Sequence, residues 1–144
     1  MLDAAHAAAI LARIEKIPIF NTLHMEPTMF GDGVAEVRVP RQHIYDGVFE
    51  SFHGGILMTV ADSLACFAVL TTTPADQLMT TTDMNIRFLA PCLTDVVAKA
   101  RVIKRGRTMC PVAVDLFDTA GTLVAVAQVN YMLLGKMPKR DVRV

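Results

Sequence analysis

A histidine and two glycines, His53-Gly54-Gly55, stand directly before an apolar run, residues 56–70, whose only charge is Asp62. Glycines at the start of a helix leave backbone N–H groups accessible, and the helix dipole adds positive potential there. Such a site suits a developing oxyanion. An unpaired carboxylate inside an apolar run loses hydration unless something satisfies it, so Asp62 needs either a structural partner or a task. At about 1.5 Å of rise per residue, Gly54 and Asp62 lie roughly 12 Å apart along one helix. They cannot serve the same reacting atom, so a reaction that uses both draws Asp62 from a second copy of the chain. Two-fold symmetry then makes two equivalent composite sites. His53 has two readings: a base, or a residue that shapes the turn by hydrogen bonding. No acidic partner is fixed for it by sequence, which favours the second.

The elements that position these residues follow from periodicity. The run 56–70 is too short for a bilayer, which needs roughly twenty apolar residues, so it forms a buried helix. Apolar on all sides, that helix must be surrounded, and what surrounds it is sheet. Ahead of it, an amphipathic helix over about 3–17 carries Ile10, Leu11, Ile14 and Ile17, is capped by Asp3 and is stopped by Pro18. A strand around 23–29, a turn at Gly31-Asp32-Gly33 and a strand 34–39 follow, and 41–52 is a loop. Behind the helix come four strands in a meander: 79–89, 95–103, 108–117 and 122–134. Pro111 lacks a ladder donor and argues for an edge or a bulge. In the first of these strands Met84, Ile86 and Phe88 face one way, while Thr81, Asp83, Asn85 and Arg87 share the other. An inward role for Thr81 would need an edge position or a bulge. Residues 136–144 read as a polar tail. Segregated helices and antiparallel strands make the chain α+β, one domain over 1–144.

Composition narrows the function. Of the 144 residues 53% are hydrophobic, and 14 basic residues balance 14 acidic ones, so no overall field favours nucleic acid or an anionic membrane. Cys66, Cys92 and Cys110 lie far apart in an odd number, as reduced thiols of a cytoplasmic protein. The first residues lack the basic region of a signal peptide. There is no metal-ligand cluster, no glycine-rich phosphate loop and no nucleophile elbow.

In order, His53-Gly54-Gly55, Asp62 nine residues after the histidine, the segment 83–91, the turn Lys104-Arg105-Gly106-Arg107-Thr108 and the strand 123–128 together resemble the PaaI-like branch of the hot-dog acyl-CoA thioesterases. The resemblance spans about residues 18–135. It implies a hot-dog fold, a curved antiparallel sheet wrapped around a long central helix, in homodimers that often pair into tetramers. It also implies hydrolysis of an acyl-CoA thioester with no metal or other cofactor. In that scheme the Gly54 amide polarises the thioester carbonyl, Asp62 is nucleophile or general base, and Thr81 holds the water or the carboxylate. The family often has Asn six residues before the histidine and Gly three before it; this chain has Gly47 and Glu50.

Further substrate contacts are expected at Gly55 in the helix start and at Arg105 and Arg107, whose guanidinium groups suit the phosphates of coenzyme A. Met58 and Met84 are candidates to line an adaptable acyl pocket. The expected substrate is an aryl or medium-chain acyl-CoA. The competing functions are a non-catalytic acyl-CoA-binding hot-dog protein, and a hot-dog hydratase or dehydratase using a histidine with a carboxylate.

Overall fold

A computed structural model describes residues 2–136, the last by its backbone only. Helix α1, Ala4–Ile14, is capped by Asp3, whose carboxylate accepts the His6 N–H at 2.7 Å. It is shorter than the span 3–17. Pro18 does not merely follow its end; it is the first residue of a second helix, α2, Pro18–Thr22. Proline suits that position because its missing N–H would have no helical partner there and its φ is already helical. The chain then turns at His24, with φ 51°, and strand β1 starts only at Glu26 and runs to Gly31. Apart from Lys136, the expected polar tail lies outside the described residues.

The remaining elements are β2 (Val34–Val39), α3 (Gly54–Leu70), β3 (Gln77–Phe88), β4 (Val96–Val102), β5 (Met109–Phe117) and β6 (Leu123–Lys136). They form one six-stranded sheet in the order β1-β2-β4-β5-β6-β3, antiparallel at every pairing. The strands after α3 are therefore not a simple meander. The segment 89–95 carries the chain from β3, at one edge, across to the vacant side of β2, where β4 pairs; only then does the chain meander through β5 and β6. β3 pairs with β6, the last strand. Pro111 sits on an interior strand, opposite Asn130, one residue beyond the end of the β4 ladder. Its carbonyl still accepts the Ile103 N–H, so the missing donor costs one bond at a fraying end.

Alternation makes the inner face: Val37 and Val39, Val96, Ala98 and Ala100, Val112, Val114 and Leu116, and Ala125 and Val129 are all buried. α3 lies on that face and contacts β2, β3, β4, β5 and β6. This is the α+β hot-dog arrangement. One expectation needs correcting: a single chain does not surround its helix. Leu57, Val60, Ala61, Leu64, Ala65 and Phe67 are buried, whereas Gly55, Met58, Thr59, Asp62, Ser63 and Cys66 keep some exposure. At 3.6 residues per turn these six fall on one stripe.

α1 fastens the far end of α3 to β3. Arg13 donates from Nη1 to the carbonyls of Ala75 and Gln77, both at 2.8 Å, and His6 Nε2 lies 3.0 Å from the Leu70 carbonyl oxygen.

Candidate active site

Asp62 lies in the middle of the open stripe, and its carboxylate is held by two hydroxyls. Thr81 donates to Oδ1 at 2.7 Å; Tyr131 lies 2.9 Å from the same oxygen and 2.8 Å from the Asp62 backbone carbonyl. No hydrogen bond to Oδ2 is made among the described residues. The inward reach of Thr81 has a local cause. Thr81 pairs with Tyr131 and Asp83 with Asn130, so Thr82 is an extra residue without a partner, a bulge. Before the bulge the odd positions Met79 and Thr81 face the helix; after it the even positions Met84 and Ile86 do. A strict period of two assigns Thr81 to the wrong face.

Tyr131 escaped the sequence reading. It is 6% exposed, and burial pushes its phenol well above the usual tyrosine range. The signal was present: Tyr131 shares the parity of Ala125, Ala127 and Val129 on β6, and a buried phenol needs a hydrogen-bond partner. One helical turn beyond Asp62, the Cys66 thiol points at the Met79 sulfur, 3.7 Å away, and burial pushes it up to about 11. Cys66, Cys92 and Cys110 are all unpaired.

At the helix start, His53 is the N-cap. Its Nδ1 accepts the Gly55 N–H at 2.9 Å, and its carbonyl accepts from Ile56 and Leu57. The neutral ring therefore carries its proton on Nε2. No carboxylate hydrogen-bonds His53 among the described residues, which leaves the acid–base pair of a hydratase without geometric support. With the Gly55 amide taken by His53, the amide that stays free is that of Gly54. A Cβ at Gly54 would stand 3.0 Å from the Phe88 ring, so glycine keeps both the ring and the amide in place.

Beside Gly54 a groove of about 540 Å³ opens between Phe49, Phe52, Leu57, Phe88 and Leu89. No charged side chain lines it. Its lip is the loop 46–52, closed by Gly47 N–H to Ser51 at 2.9 Å and Glu50 N–H to Gly47 at 3.1 Å, with Val48 and Phe49 about nine-tenths exposed at its tip. Glu50 has φ 56°, a conformation glycine adopts more readily. Gly47 lies against the cap: a Cβ there would be 3.4 Å from His53 Cδ2. Neither carboxylate nor amide is therefore supplied to the groove where the family often has Asn.

The loop is anchored by Arg41, another residue the sequence did not reveal. Its guanidinium donates to Asp46 (2.7 Å) and to the carbonyls of Glu50 (2.7 Å) and Leu93, and its amide donates to Asp95 at 2.8 Å. The hydrogen bond from Arg41 is the main cause holding Asp46 below the usual carboxylate range; for Asp95 the Arg41 amide comes first, then Arg38.

The other expected contacts are dispersed. Arg105 and Arg107 are exposed on the β4–β5 turn, near the row formed by Cys110, Tyr131 and Thr81, and far along the sheet from Phe88 and Gly54. Met58 is on the open helical stripe; Met84 is half-buried on the inner face of β3. Gly55 faces outward, its amide committed to His53. Gly54 and Asp62 stand at the two ends of two helical turns, as the rise per residue requires. Among the described residues no helix is long and apolar enough to cross a membrane.

Known proteins are similar to this chain in sequence and in fold. Residues 49–125 match the Thioesterase superfamily, a stretch holding His53, Gly54, Asp62, Thr81 and most of the sheet. Acyl-coenzyme A thioesterase 13 of Homo sapiens is 32% identical over 98 residues, 66% of this chain and 68% of that protein. Its counterpart in Mus musculus is 28% identical over 117 residues, 76% of this chain and 81% of that one. The PaaI protein of the E. coli phenylacetic acid degradation operon superposes with a TM-score of 0.87 at 19% identity, covering 95% of this chain and 99% of that one. A thioesterase family protein from Silicibacter pomeroyi gives 0.84 at 21% identity over 90% and 98%. With fold and sequence in agreement, the chain belongs to the thioesterase superfamily, has the hot-dog fold, and is a thioester hydrolase.

Proposed function

We propose that this chain is an acyl-CoA thioesterase that releases an aryl or medium-chain carboxylic acid and free coenzyme A, acting as a homodimer in which each site joins Gly54 of one chain to Asp62 of the other. The observation that carries this reading is the pairing of a free amide at the start of α3 with an ionisable carboxylate on the open stripe of the same helix, too far apart to meet within one chain. Two copies with their stripes together and their helices antiparallel bring the end of one helix to the middle of the other.

The Gly54 N–H donates to the thioester carbonyl oxygen, whose negative charge grows as the carbonyl carbon becomes tetrahedral. Asp62 either takes a proton from the attacking water or attacks the carbon itself. In both cases the C–S bond breaks, the thiolate leaves and is protonated, and water supplies the hydroxyl of the acid. The reading needs no metal or other cofactor.

The uncharged walls of the groove beside Gly54 support an apolar acyl group, since polar groups entering it would lose hydration without compensation. The relatives named acyl-coenzyme A thioesterase support coenzyme A as the carrier. Free-thiol release from aryl, short, medium and long acyl-CoAs, measured beside Asp62→Asn, tests the proposal. Turnover of apolar acyl-CoAs that collapses in the variant is expected. Full activity in folded Asp62→Asn removes the carboxylate from the mechanism, and no turnover of any acyl-CoA removes the substrate assignment.

A further inference from the structure

We infer that Tyr131 is a positioning residue for the reaction: with Thr81 it fixes one oxygen of the Asp62 carboxylate, Oδ1, and leaves Oδ2 as the oxygen that acts. The inference rests on the reading of Asp62 as the reacting carboxylate.

The geometry is specific. The Tyr131 hydroxyl faces two acceptors of the same residue, Oδ1 at 2.9 Å and the backbone carbonyl at 2.8 Å. Thr81 reaches Oδ1 from the neighbouring strand at 2.7 Å. A phenol that addresses both main chain and side chain of Asp62 restricts rotation of the carboxylate about its own bonds. The phenol is held in place by burial: Tyr131 is 6% exposed, on an interior strand between Cys110 and Thr81. The bulge at Thr82 is what aims Thr81 at the same point; without it only Tyr131 would face the helix.

Thr81 donates to Oδ1 and the single Tyr131 O–H is shared between Oδ1 and the Asp62 backbone carbonyl, which leaves the lone pairs of the second oxygen to water or the carbonyl carbon. Asp62 acts on two titratable neighbours among the described residues, Tyr131 and Cys66; burial raises both, the thiol to about 11, so both stay neutral in the working range. Arg13 acts on Cys66 from α1, and its guanidinium is spent on the carbonyls of Ala75 and Gln77.

Tyr131→Phe keeps the ring and deletes the hydroxyl. Losing one hydrogen bond to a charged acceptor predicts a kcat lower by about tenfold, an unchanged KM, and an acid limb of kcat/KM moved upward by about one pH unit. A tyrosine that merely fills space would leave that limb in place. Should the phenylalanine variant fail to fold, 3-fluorotyrosine at position 131 preserves the shape and strengthens the donor, and the limb then moves to lower pH. An unmoved limb in a folded variant of either kind overturns the inference. Asp62→Asn separates the two layers: full activity there sinks both the function and the positioning role, whereas an inactive Asp62→Asn beside an unmoved limb sinks the positioning role alone.

Discussion

The Gly54 amide can be deleted almost without touching the fold, because Gly54 is the first residue of α3. Proline is favoured at that position, and α2 of this same chain begins with Pro18. The residue before a proline is driven out of the helical region, and His53 already sits at φ −59°, ψ 131°. Gly54→Pro therefore removes one N–H that no acceptor among the described residues uses. Its steric part is bounded by Gly54→Ala, which keeps the N–H and adds the Cβ that would stand 3.0 Å from the Phe88 ring. Phe88 is 53% exposed and can yield by a few tenths of an ångström, so the alanine control should fold with near-native stability. Loss of one oxyanion donor costs about 2.7–4 kcal/mol of transition-state stabilisation, a fall of roughly 10²–10³ in kcat. Free-thiol release under saturating acyl-CoA, with thermal unfolding of both variants as the check on folding, measures it. Gly54→Pro should be slower than Gly54→Ala by at least tenfold at similar Tm. A folded proline variant that turns over like the alanine variant would refute the oxyanion role.

Mixing inactive Asp62→Asn with inactive Gly54→Pro, after subunit exchange, should restore activity to about a quarter of the wild-type sites, because half the dimers are mixed and each mixed dimer has one intact composite site; a mixture that exchanges subunits and stays as dead as its components would refute a site shared between two chains. His53→Ala should cost about 1 kcal/mol through loss of the N-cap, whereas His53→Asn, which keeps a side-chain acceptor, should cost much less and retain turnover; an inactive but folded His53→Asn would make the histidine a base after all. The Asp46 and Asp95 carboxylates are depressed in the folded chain by Arg41 and Arg38, so their stabilising effect is complete above the unfolded-state value, about 3.9, and is lost as pH falls through the folded values. Arg41→Gln should accordingly lower Tm at pH 6 and converge with wild type as the solution is acidified below pH 4; a constant difference across that range would show that Arg41 acts through packing alone.

How much of this could be read from sequence differs by residue. Asp62 and Gly54 were legible because their signals are local: one charge in an apolar run, two glycines at its start. The distance that separates them, which the proposed dimer would bridge, followed from the rise of a helix. The position of β3 was not legible, since four strands of similar alternation can be ordered in several ways, and only the vacant side of β2 decides between them. Alternation alone puts Thr81 on the outer face, and its inward reach needs a bulge; that bulge changes the phase of alternation, and no glycine or proline marks it at Thr82. Tyr131 and Arg41 join the site through contacts 69 and 52 to 54 residues away in sequence. Pairings of that range depend on register, which one sequence does not carry.

The open stripe on α3 and the free edge of β3 meet at Asp62, and that coincidence explains the hydroxyls. An edge strand of twelve residues, unpaired on its outer side among the described residues, is a ready surface for another chain, as is a helical stripe bearing Met58, Thr59 and Cys66 beside the carboxylate. Covering both with a second copy in the proposed dimer would strip water from Asp62, a change that disfavours its ionised form and would silence it as a base or nucleophile. Donors already in place oppose this. Thr81 and Tyr131 meet Oδ1 with hydroxyls that belong to the chain itself, so covering the stripe would not leave that oxygen without a hydrogen-bond partner. On this view the two hydroxyls are a condition of building the site at an interface. A variant lacking both, Thr81→Val with Tyr131→Phe, should still dimerise in sedimentation and yet lose activity at neutral pH, recovering part of it as the pH is raised. A double variant that remains dimeric and active at neutral pH would show that the carboxylate keeps its water in the assembled enzyme.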